Sequence, residues 1–145
     1  MKKLIITNQE ISNNNHKGSD QIIWSYTSND YESIQNYIDD NKTDIRDKYL
    51  NFVNFLGRKK IHGQSIEDKY QIDKFHNLWH MSKIYEKCPN KSESIIDCIK
   101  MIALEEIIDK KKPSLVFSHL DDYKLNKSIQ LLCKRKKIIF KSHRL

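Results

Sequence analysis

The chain has 145 residues, of which 38% are hydrophobic, 31% charged and 10% aromatic. This length suits one domain, for which about 100–200 residues is usual, and the aromatic content argues against disorder. Three glycines and two prolines exclude the collagen-like and low-complexity classes. The composition therefore predicts one folded domain spanning residues 1–145.

The charge pattern bears on the partners of the chain. The net charge is +7, from 26 basic and 19 acidic residues, and four of the basic residues are arginines. Proteins that read base edges or clamp phosphates at two points rely on arginine, so nucleic acid is not the expected partner. Basic residues concentrate at residues 134–137 and 141–144, where either an anionic partner or a solvated helix end would account for them.

The three cysteines, Cys88, Cys98 and Cys133, are odd in number and form no C-x-x-C pair, so neither a disulfide framework nor a zinc site is expected. Free cysteines in apolar patterns suit a reducing compartment, which predicts a cytoplasmic location. No stretch approaches the roughly 20 apolar residues of a membrane span, and the N-terminal segment lacks the apolar run of a signal peptide. Any membrane contact is therefore expected to be peripheral.

The N-terminal part of the chain predicts strands and then a helix. A β-branched run at residues 4–6 indicates the first strand, and residues 8–20 are typical of a loop. Residues 21–26 have the composition of a strand, although they would also fit inside a longer loop. A helical pattern follows Asp30, which is a suitable N-cap.

The middle of the chain predicts two more helices. The first begins at Thr43, carries an apolar face and ends at Gly57, which would be its C-terminal cap. A polar connector at residues 61–71 leads to a helix over residues 73–87 and then to a turn at Pro89, because proline cannot continue a helix.

The C-terminal part predicts a helix followed by a strand–helix–strand unit. A helix over residues 94–110 has apolar residues on more than half of its surface, which predicts burial on more than one side. Apolar runs at residues 114–118 and 136–141 predict strands, and the helix between them is capped by Asp121 or Asp122. The predicted core stripe of that helix is Leu125, Ile129, Leu132 and Cys133.

Together these elements predict the α/β class, as a Rossmann-like three-layer domain with a short parallel sheet and a helix-rich middle. A strand–helix–strand unit of this length almost always places its two strands parallel, with a right-handed crossover. We therefore expect the strands that contain Val116 and Ile139 to lie side by side and to run in the same direction.

Polar side chains follow both of these strands. Ser118, His119 and Asp121 come after the first, and Ser142 and His143 come after the second. Ligands of open α/β sheets bind outside the carboxyl ends of the strands, and histidine is suited to acid–base work near neutral pH. The sequence therefore predicts a substrate site with His119, Asp121 and Ser142. In the alternative interpretation the aspartate caps a helix and the tail is frayed.

A second predicted substrate site consists of Lys91 and Ser92, which precede a helix. Free backbone N–H groups and the positive end of the helix dipole favour an anion there, such as a diphosphate or a sugar phosphate. An N-cap serine beside an exposed lysine is the alternative. The sequence has no glycine-rich phosphate loop and no D-x-D step, so the residues indicate no cofactor.

Two further sets of residues on the predicted helix over residues 73–87 have both a binding interpretation and a packing interpretation. His76 and His80 have the i, i+4 spacing of a zinc pair, but no third ligand is near in sequence, so no metal is expected. Trp79 and Tyr85, together with a methionine between them, would either stack on sugar rings or pack in the core.

Residues 78–92, Leu-Trp-His-Met-Ser-Lys-Ile-Tyr-Glu-Lys-Cys-Pro-Asn-Lys-Ser, and residues 96–108 carry a recognisable pattern. It joins a Leu-Trp-x-Met-Ser step, a proline turn with Lys-Ser, and a helix with Lys-x-x-Ala-Leu-Glu. This pattern resembles a family of bacterial surface-carbohydrate biosynthesis proteins that are described as glycosyltransferases. The resemblance extends over residues 43–142 and is sharpest at residues 78–108.

The resemblance implies a role in building lipopolysaccharide or capsule, within a glycosyltransferase of two Rossmann-like halves. The second half of such an enzyme binds the nucleotide-sugar donor, and this chain would hold an N-terminal portion, as a truncated gene or one half of a split enzyme. It would be the acceptor-side or scaffold half, with a nucleotide sugar or sugar phosphate as ligand and a second domain or subunit as partner. The resemblance names no catalytic residue.

Two other functions stay open. A non-catalytic partner subunit would expose a large apolar patch where a second domain docks. A basic nucleic-acid-binding module would present a contiguous lysine face and would bind less tightly as salt is added.

Overall fold

The computed structural model describes residues 2–9, 19–82 and 93–143. Over these residues the chain is a mixed α/β protein with a four-stranded parallel sheet and five helices. The helices and strands, in chain order, are β1 (Lys3–Thr7), β2 (Ser19–Ile23), α1 (Ile34–Asp40), α2 (Lys42–Arg58), β3 (Lys60–Ile61), β4 (Gln64–Ser65), α3 (Ile66–Lys69), α4 (Glu93–Lys111), β5 (Leu115–Ser118), α5 (Tyr123–Arg135) and β6 (Ile139–Ser142).

One of two compact units consists of residues 1–42 and 100–145 and contains the parallel sheet. Its strand order is β2-β1-β5-β6, and every neighbouring pair is parallel. Consecutive side chains Leu4, Ile5 and Ile6 of β1 are all buried, as is typical of a strand covered on both faces. The predicted first strand is therefore confirmed, and β2 overlaps the second.

The predicted C-terminal strand–helix–strand unit is also confirmed. β5 and β6 are parallel neighbours, with Leu115 opposite Ile139 and Val116 opposite Phe140. The β1 strand pairs with the other side of β5, so β5 lies inside the sheet. This central position explains why its sequence is a short apolar run rather than an alternating one.

Helix α5 has a specific cap at each end. Asp122 is the N-cap, because its Oδ1 accepts a hydrogen bond from the N–H of Leu125 at 2.9 Å. At the other end Lys137 has a φ of 59°, and the N–H of Ile138 donates to the carbonyl of Cys133 at 2.9 Å. The predicted last strand begins at residue 136, but this C-terminal cap uses residues 136–138. The strand β6 therefore begins only at Ile139. The predicted core stripe is buried: Leu125, Ile129, Leu132 and Cys133.

Helix α1 begins later than predicted. The N-cap is Ser33, whose Oγ accepts a hydrogen bond from the N–H of Asn36 at 3.0 Å, so the expectation of Asp30 as the cap is wrong. The N–H of Ile23 donates to the carbonyl of Glu32 at 3.0 Å. This hydrogen bond holds Glu32 against the end of β2. The helix therefore begins only after Ser33.

Helix α4 agrees with the predicted helix over residues 94–110. No side chain from Ile95 to Ile108 is exposed, which confirms that this helix is covered on more than one side. It ends at Lys111, and the next residue, Lys112, has a φ of 48° and stands just before Pro113. Among the described helices, none combines the length and the apolar character needed to cross a membrane.

The second compact unit consists of residues 43–99. Helix α2 covers the predicted helix but continues to Arg58, so the expectation that Gly57 is a C-terminal cap is wrong. Gly57 is buried, and a Cβ carbon at this position would lie 2.6 Å from Nε1 of Trp79 and 2.7 Å from Oε1 of Glu67. The close approach of the indole therefore requires a residue without a side chain.

The predicted polar connector at residues 61–71 contains a small hairpin, β3–β4, and the short helix α3. His62 and Gly63 form the turn with φ values of 54° and 88°, the left-handed pair that a two-residue hairpin favours. Ser65 then caps α3 by accepting a hydrogen bond from the N–H of Asp68 at 3.0 Å.

The predicted helix over residues 73–87 is wrong for residues 73–82, which form bends and turns. The Oδ1 atom of Asp73 accepts hydrogen bonds from the backbone N–H groups two and three residues later, at 2.8 and 3.0 Å. The Oδ1 atom of Asn77 accepts one from the N–H two residues later at 2.8 Å. The bonds to Asp73 would also suit a helix N-cap, but the next N–H groups are not available to a helix. The N–H of Trp79 is bound by Asn77, and the N–H of Leu78 donates to the carbonyl of Tyr70 at 3.0 Å, so neither donates to the carbonyl four residues earlier. The rest of that prediction, and the turn at Pro89, lie outside the described residues.

We predict that Gly57→Ala lowers the free energy of unfolding by about 1–2 kcal/mol, because the overpacking cost exceeds the gain in helix propensity. Urea unfolding followed by circular dichroism measures the change. In a Trp79→Phe background the same substitution should cost less, because the smaller ring leaves room for the methyl group. An equal loss in both backgrounds would show that the indole does not impose the glycine.

Candidate functional site

The four parallel strands end at one edge of the sheet, which we call the carboxyl edge. It consists of the residues that directly follow the strands: Asn8, Gln9, Trp24, Ser25, His119, Leu120 and His143. The strands β1 and β5 are neighbours, and the chain leads from β1 to β2 on one side and from β5 to β6 on the other. Open parallel sheets bind ligands where the strand order reverses in this way.

Two Ser-His steps stand side by side at the carboxyl edge. Ser118 is the register partner of Ser142, so His119 and His143 follow equivalent positions of neighbouring strands. The N–H of His119 donates to the carbonyl of Ile6 at 2.8 Å, and the N–H of His143 donates to the carbonyl of Ser118 at 3.3 Å. The two imidazole centroids lie 6.1 Å apart. The structure thus brings together His119 and His143, which are 24 residues apart in the chain, whereas Ser142 is the register partner of Ser118.

A buried hydrogen-bond network holds the loop that carries His119. The hydroxyl of Ser118 donates to Oδ1 of Asn126 at 2.6 Å, and Nδ2 of Asn126 donates to the carbonyl of Leu120 at 2.7 Å. The N–H of Leu120 completes the network by donating to Oγ of Ser118 at 3.3 Å. Ser118 and Asn126 are both fully or almost fully buried, so they position the loop rather than meet a ligand.

The two aspartates after β5 have different positions. Asp122 is the N-cap of α5, which confirms the structural alternative for this residue. Asp121 is exposed one residue earlier, between Leu120 and the cap. Both aspartates are exposed, and Oδ1 of Asp122 is engaged in the cap of α5.

The loops after β1 and β2 are tied to each other. The hydroxyl of Thr7 donates to the carbonyl of Gln9 at 2.8 Å, which turns the chain sharply after β1. The N–H of Trp24 donates to the carbonyl of Thr7 at 2.8 Å, and the hydroxyl of Ser25 donates to the carbonyl of Asn8 at 3.2 Å. This part of the carboxyl edge is consequently fixed before any ligand arrives.

Lys100 of α4 brings a positive charge to the loop after β2. Its Nζ donates to the carbonyl of Trp24 at 2.8 Å and lies 5.5 Å from the centroid of the buried Trp24 ring. Lys100 is the first residue of the Lys-x-x-Ala-Leu-Glu pattern, but the pattern alone predicts no role for it at the sheet. A cation held in this way adds positive potential at the carboxyl edge.

The other predicted binding residues are the Lys91-Ser92 pair and the histidine pair that begins with His76. Lys91 and Ser92 lie outside the described residues. His76 Nδ1 is 2.9 Å from a carboxylate oxygen of Asp73, and both side chains are exposed. The N–H of Phe75 and the His76 ring lower the pKa of Asp73. Among the described residues, no three His, Cys, Asp or Glu side chains are grouped to hold a metal ion.

The aromatic set near the Leu-Trp-x-Met-Ser step is not one stripe. Trp79 is buried against Gly57, whereas Met81 is exposed and Tyr85 lies outside the described residues. The indole Nε1 of Trp79 is buried without a hydrogen-bond acceptor among the described residues. For Trp79, the packing interpretation is therefore the one that the geometry supports.

Of the two described cysteines, Cys133 is buried and Cys98 is half-buried. Burial raises the pKa of the Cys133 thiol to about 11, and burial also raises the pKa of Cys98. A thiol must lose its proton to act as a nucleophile, so neither is set up for covalent chemistry near neutral pH.

Comparisons of the chain with protein-family models, with curated proteins and with solved structures found no match.

We predict that Asn126→Ala lowers the free energy of unfolding by about 2 kcal/mol, because it leaves a buried hydroxyl and a buried carbonyl without partners. Ser128→Ala on the exposed side of the same helix should change it by less than about 0.5 kcal/mol. Urea unfolding of both variants measures the difference. Equal stability of the two variants would contradict the role of the network.

Proposed function

We propose that the chain is a Rossmann-like, three-layer domain that acts as the acceptor-side or scaffold half of a glycosyltransferase in surface-polysaccharide biosynthesis. The observation that carries the proposal is the pairing of Ser118-His119 with Ser142-His143 on the carboxyl edge. The four-stranded parallel order with its reversal between β1 and β5 supports the fold assignment. The resemblance of residues 78–108 supports the biological role.

The side chains of the carboxyl edge suit a sugar phosphate. Imidazoles at His119 and His143 and the amide of Asn8 can exchange hydrogen bonds with sugar hydroxyls, and Lys100 contributes positive charge for a phosphate. Asp121 and Ser142 complete the predicted ligand set. His119 is the side chain suited to take the proton of an acceptor hydroxyl.

In this proposal the chain works with a second domain or subunit that brings the nucleotide-sugar donor. The acceptor oxygen then forms a bond to the anomeric carbon as the bond to the nucleoside diphosphate breaks, and the hydroxyl proton passes to the base. The location would be cytoplasmic, with peripheral contact to a membrane surface where a lipid carries the acceptor.

A non-catalytic partner subunit is the second candidate function, and one observation favours it. Several large apolar side chains of residues 43–99 are exposed to solvent. The most exposed are Phe55 at 62%, Ile72 at 62%, Phe75 at 84% and Met81 at 66%. Exposed apolar residues of this size mark surfaces that other proteins cover. This candidate requires no ligand at the carboxyl edge, which is how the two functions are distinguished.

We predict that glucose 1-phosphate shifts the backbone amide signals of the carboxyl edge in a ¹⁵N-labelled sample. The largest changes should fall at Asn8, Gln9, His119, Asp121 and His143, because these amides surround the proposed ligand. A titration followed by heteronuclear NMR gives the affinity and the location together.

The matched variants are His119→Ala and Ser128→Ala. The first should weaken binding at least about tenfold, the loss of one hydrogen bond to a charged group, while the second leaves it unchanged. Absence of any shift, or shifts confined to residues 43–82, would contradict the proposal and favour the partner-subunit function. Duplex oligonucleotide that competes with the sugar phosphate and dissociates steeply with salt would favour nucleic acid instead.

A further inference from the structure

Strand β6 forms one end of the parallel sheet. Among the described strands it pairs with β5 alone. The N–H of Ile139 donates to the carbonyl of Ser114 and the N–H of His143 to the carbonyl of Ser118, each at 3.3 Å. Inward-pointing and outward-pointing residues alternate along a strand in a ladder, so the N–H and carbonyl of Phe140 point away from β5. This edge therefore presents backbone groups to a further strand.

An apolar side chain accompanies this edge, since Ile139 on β6 is 52% exposed. Charges on a sheet edge, lysine above all, disfavour pairing with an identical edge, whereas the unpaired backbone groups remain a template for a strand of complementary charge. The strand is four residues long, so an added segment would also be short.

The charge around β6 selects the kind of segment that fits. Arg135 is paired with Glu105 at 2.6 Å, and Lys136 is paired with Glu105 at 3.0 Å and with Asp109 at 2.7 Å. Lys134, Lys137 and Lys141 are exposed, and within the part of the chain that the structure describes they have no acidic partner. The uncompensated charge beside the edge is therefore positive.

A second copy of this chain does not satisfy that charge. Antiparallel pairing of two β6 strands about a two-fold axis at Lys141 would place this lysine directly opposite its counterpart in the other copy, and like charges facing each other across strands are destabilising. A segment with acidic side chains at alternate positions has the complementary charge and the correct two-residue period.

We propose that the outer edge of β6 is a docking site for an extended, acidic segment of a partner protein, which adds to the sheet as a fifth strand. Backbone hydrogen bonds to Phe140 would provide the pairing, Ile139 the apolar contact, and Lys137 and Lys141 the preference for acidic side chains. This inference does not depend on a ligand at the carboxyl edge.

The test uses two fluorescein-labelled peptides, Thr-Glu-Val-Glu-Val-Glu-Thr and the same peptide with lysine in place of glutamate. Fluorescence anisotropy with the full chain should show that the acidic peptide binds at least tenfold more tightly than the basic one. Lys141→Glu should reverse this order, whereas Lys124→Glu, the same charge change at the start of α5, should leave it unchanged.

Strand addition is tested separately from charge attraction. Amide hydrogen exchange at Phe140 should slow at least tenfold when the acidic peptide binds, and Phe140→Pro should abolish binding, with circular dichroism confirming that the variant is folded. Unchanged exchange at Phe140, equal binding of an acidic peptide with proline in place of valine, or unaltered preference in Lys141→Glu would each overturn the proposal. Self-association through β6 in sedimentation would overturn it as well.

Discussion

The position of every residue at the carboxyl edge depends on the parallel register of β5 with its two neighbours. Because β5 pairs with β1 on one side and β6 on the other, the three strands end together and their following residues meet. If the β5–β6 register shifted by one residue, His119 and His143 would no longer follow paired residues, and their side chains would point to opposite faces of the sheet. Backbone pairing, and not direct contact between the two side chains, is what brings the histidines together.

The parts of the fold that the sequence predicted are those where one physical signal dominates. The apolar runs at β1 and β5 predict buried strands, and the one-sided apolar stripe of α5 predicts an amphipathic helix. Neither prediction depends on knowing the neighbouring elements. The parallel order of β5 and β6 followed from chain topology alone, since a short crossover leaves little freedom. The same reasoning predicted that the residues after β5 and β6 meet at one edge, where His119 and His143 lie side by side.

The errors arose where local polar side chains compete with a periodic pattern. Asn77 binds the N–H of Trp79, and the N–H of Leu78 donates to the carbonyl of Tyr70, so the helical hydrogen bonds that the apolar spacing suggests do not form. Gly57 resembled a helix cap because its tertiary neighbour, Trp79, lies 22 residues away in the chain. The buried hydrogen bonds of Asn126 were not predicted. A polar residue next to the buried stripe of an amphipathic helix is the sequence signal that could have indicated them.

The two tryptophans have a useful distribution. Trp24 is buried in the unit with the parallel sheet, and Trp79 is buried in the unit of residues 43–99. Each compact unit therefore carries its own intrinsic fluorophore in an apolar environment. With one indole replaced by phenylalanine, the emission of the other reports on its own unit, so the cooperativity of the two units can be read optically without any added label.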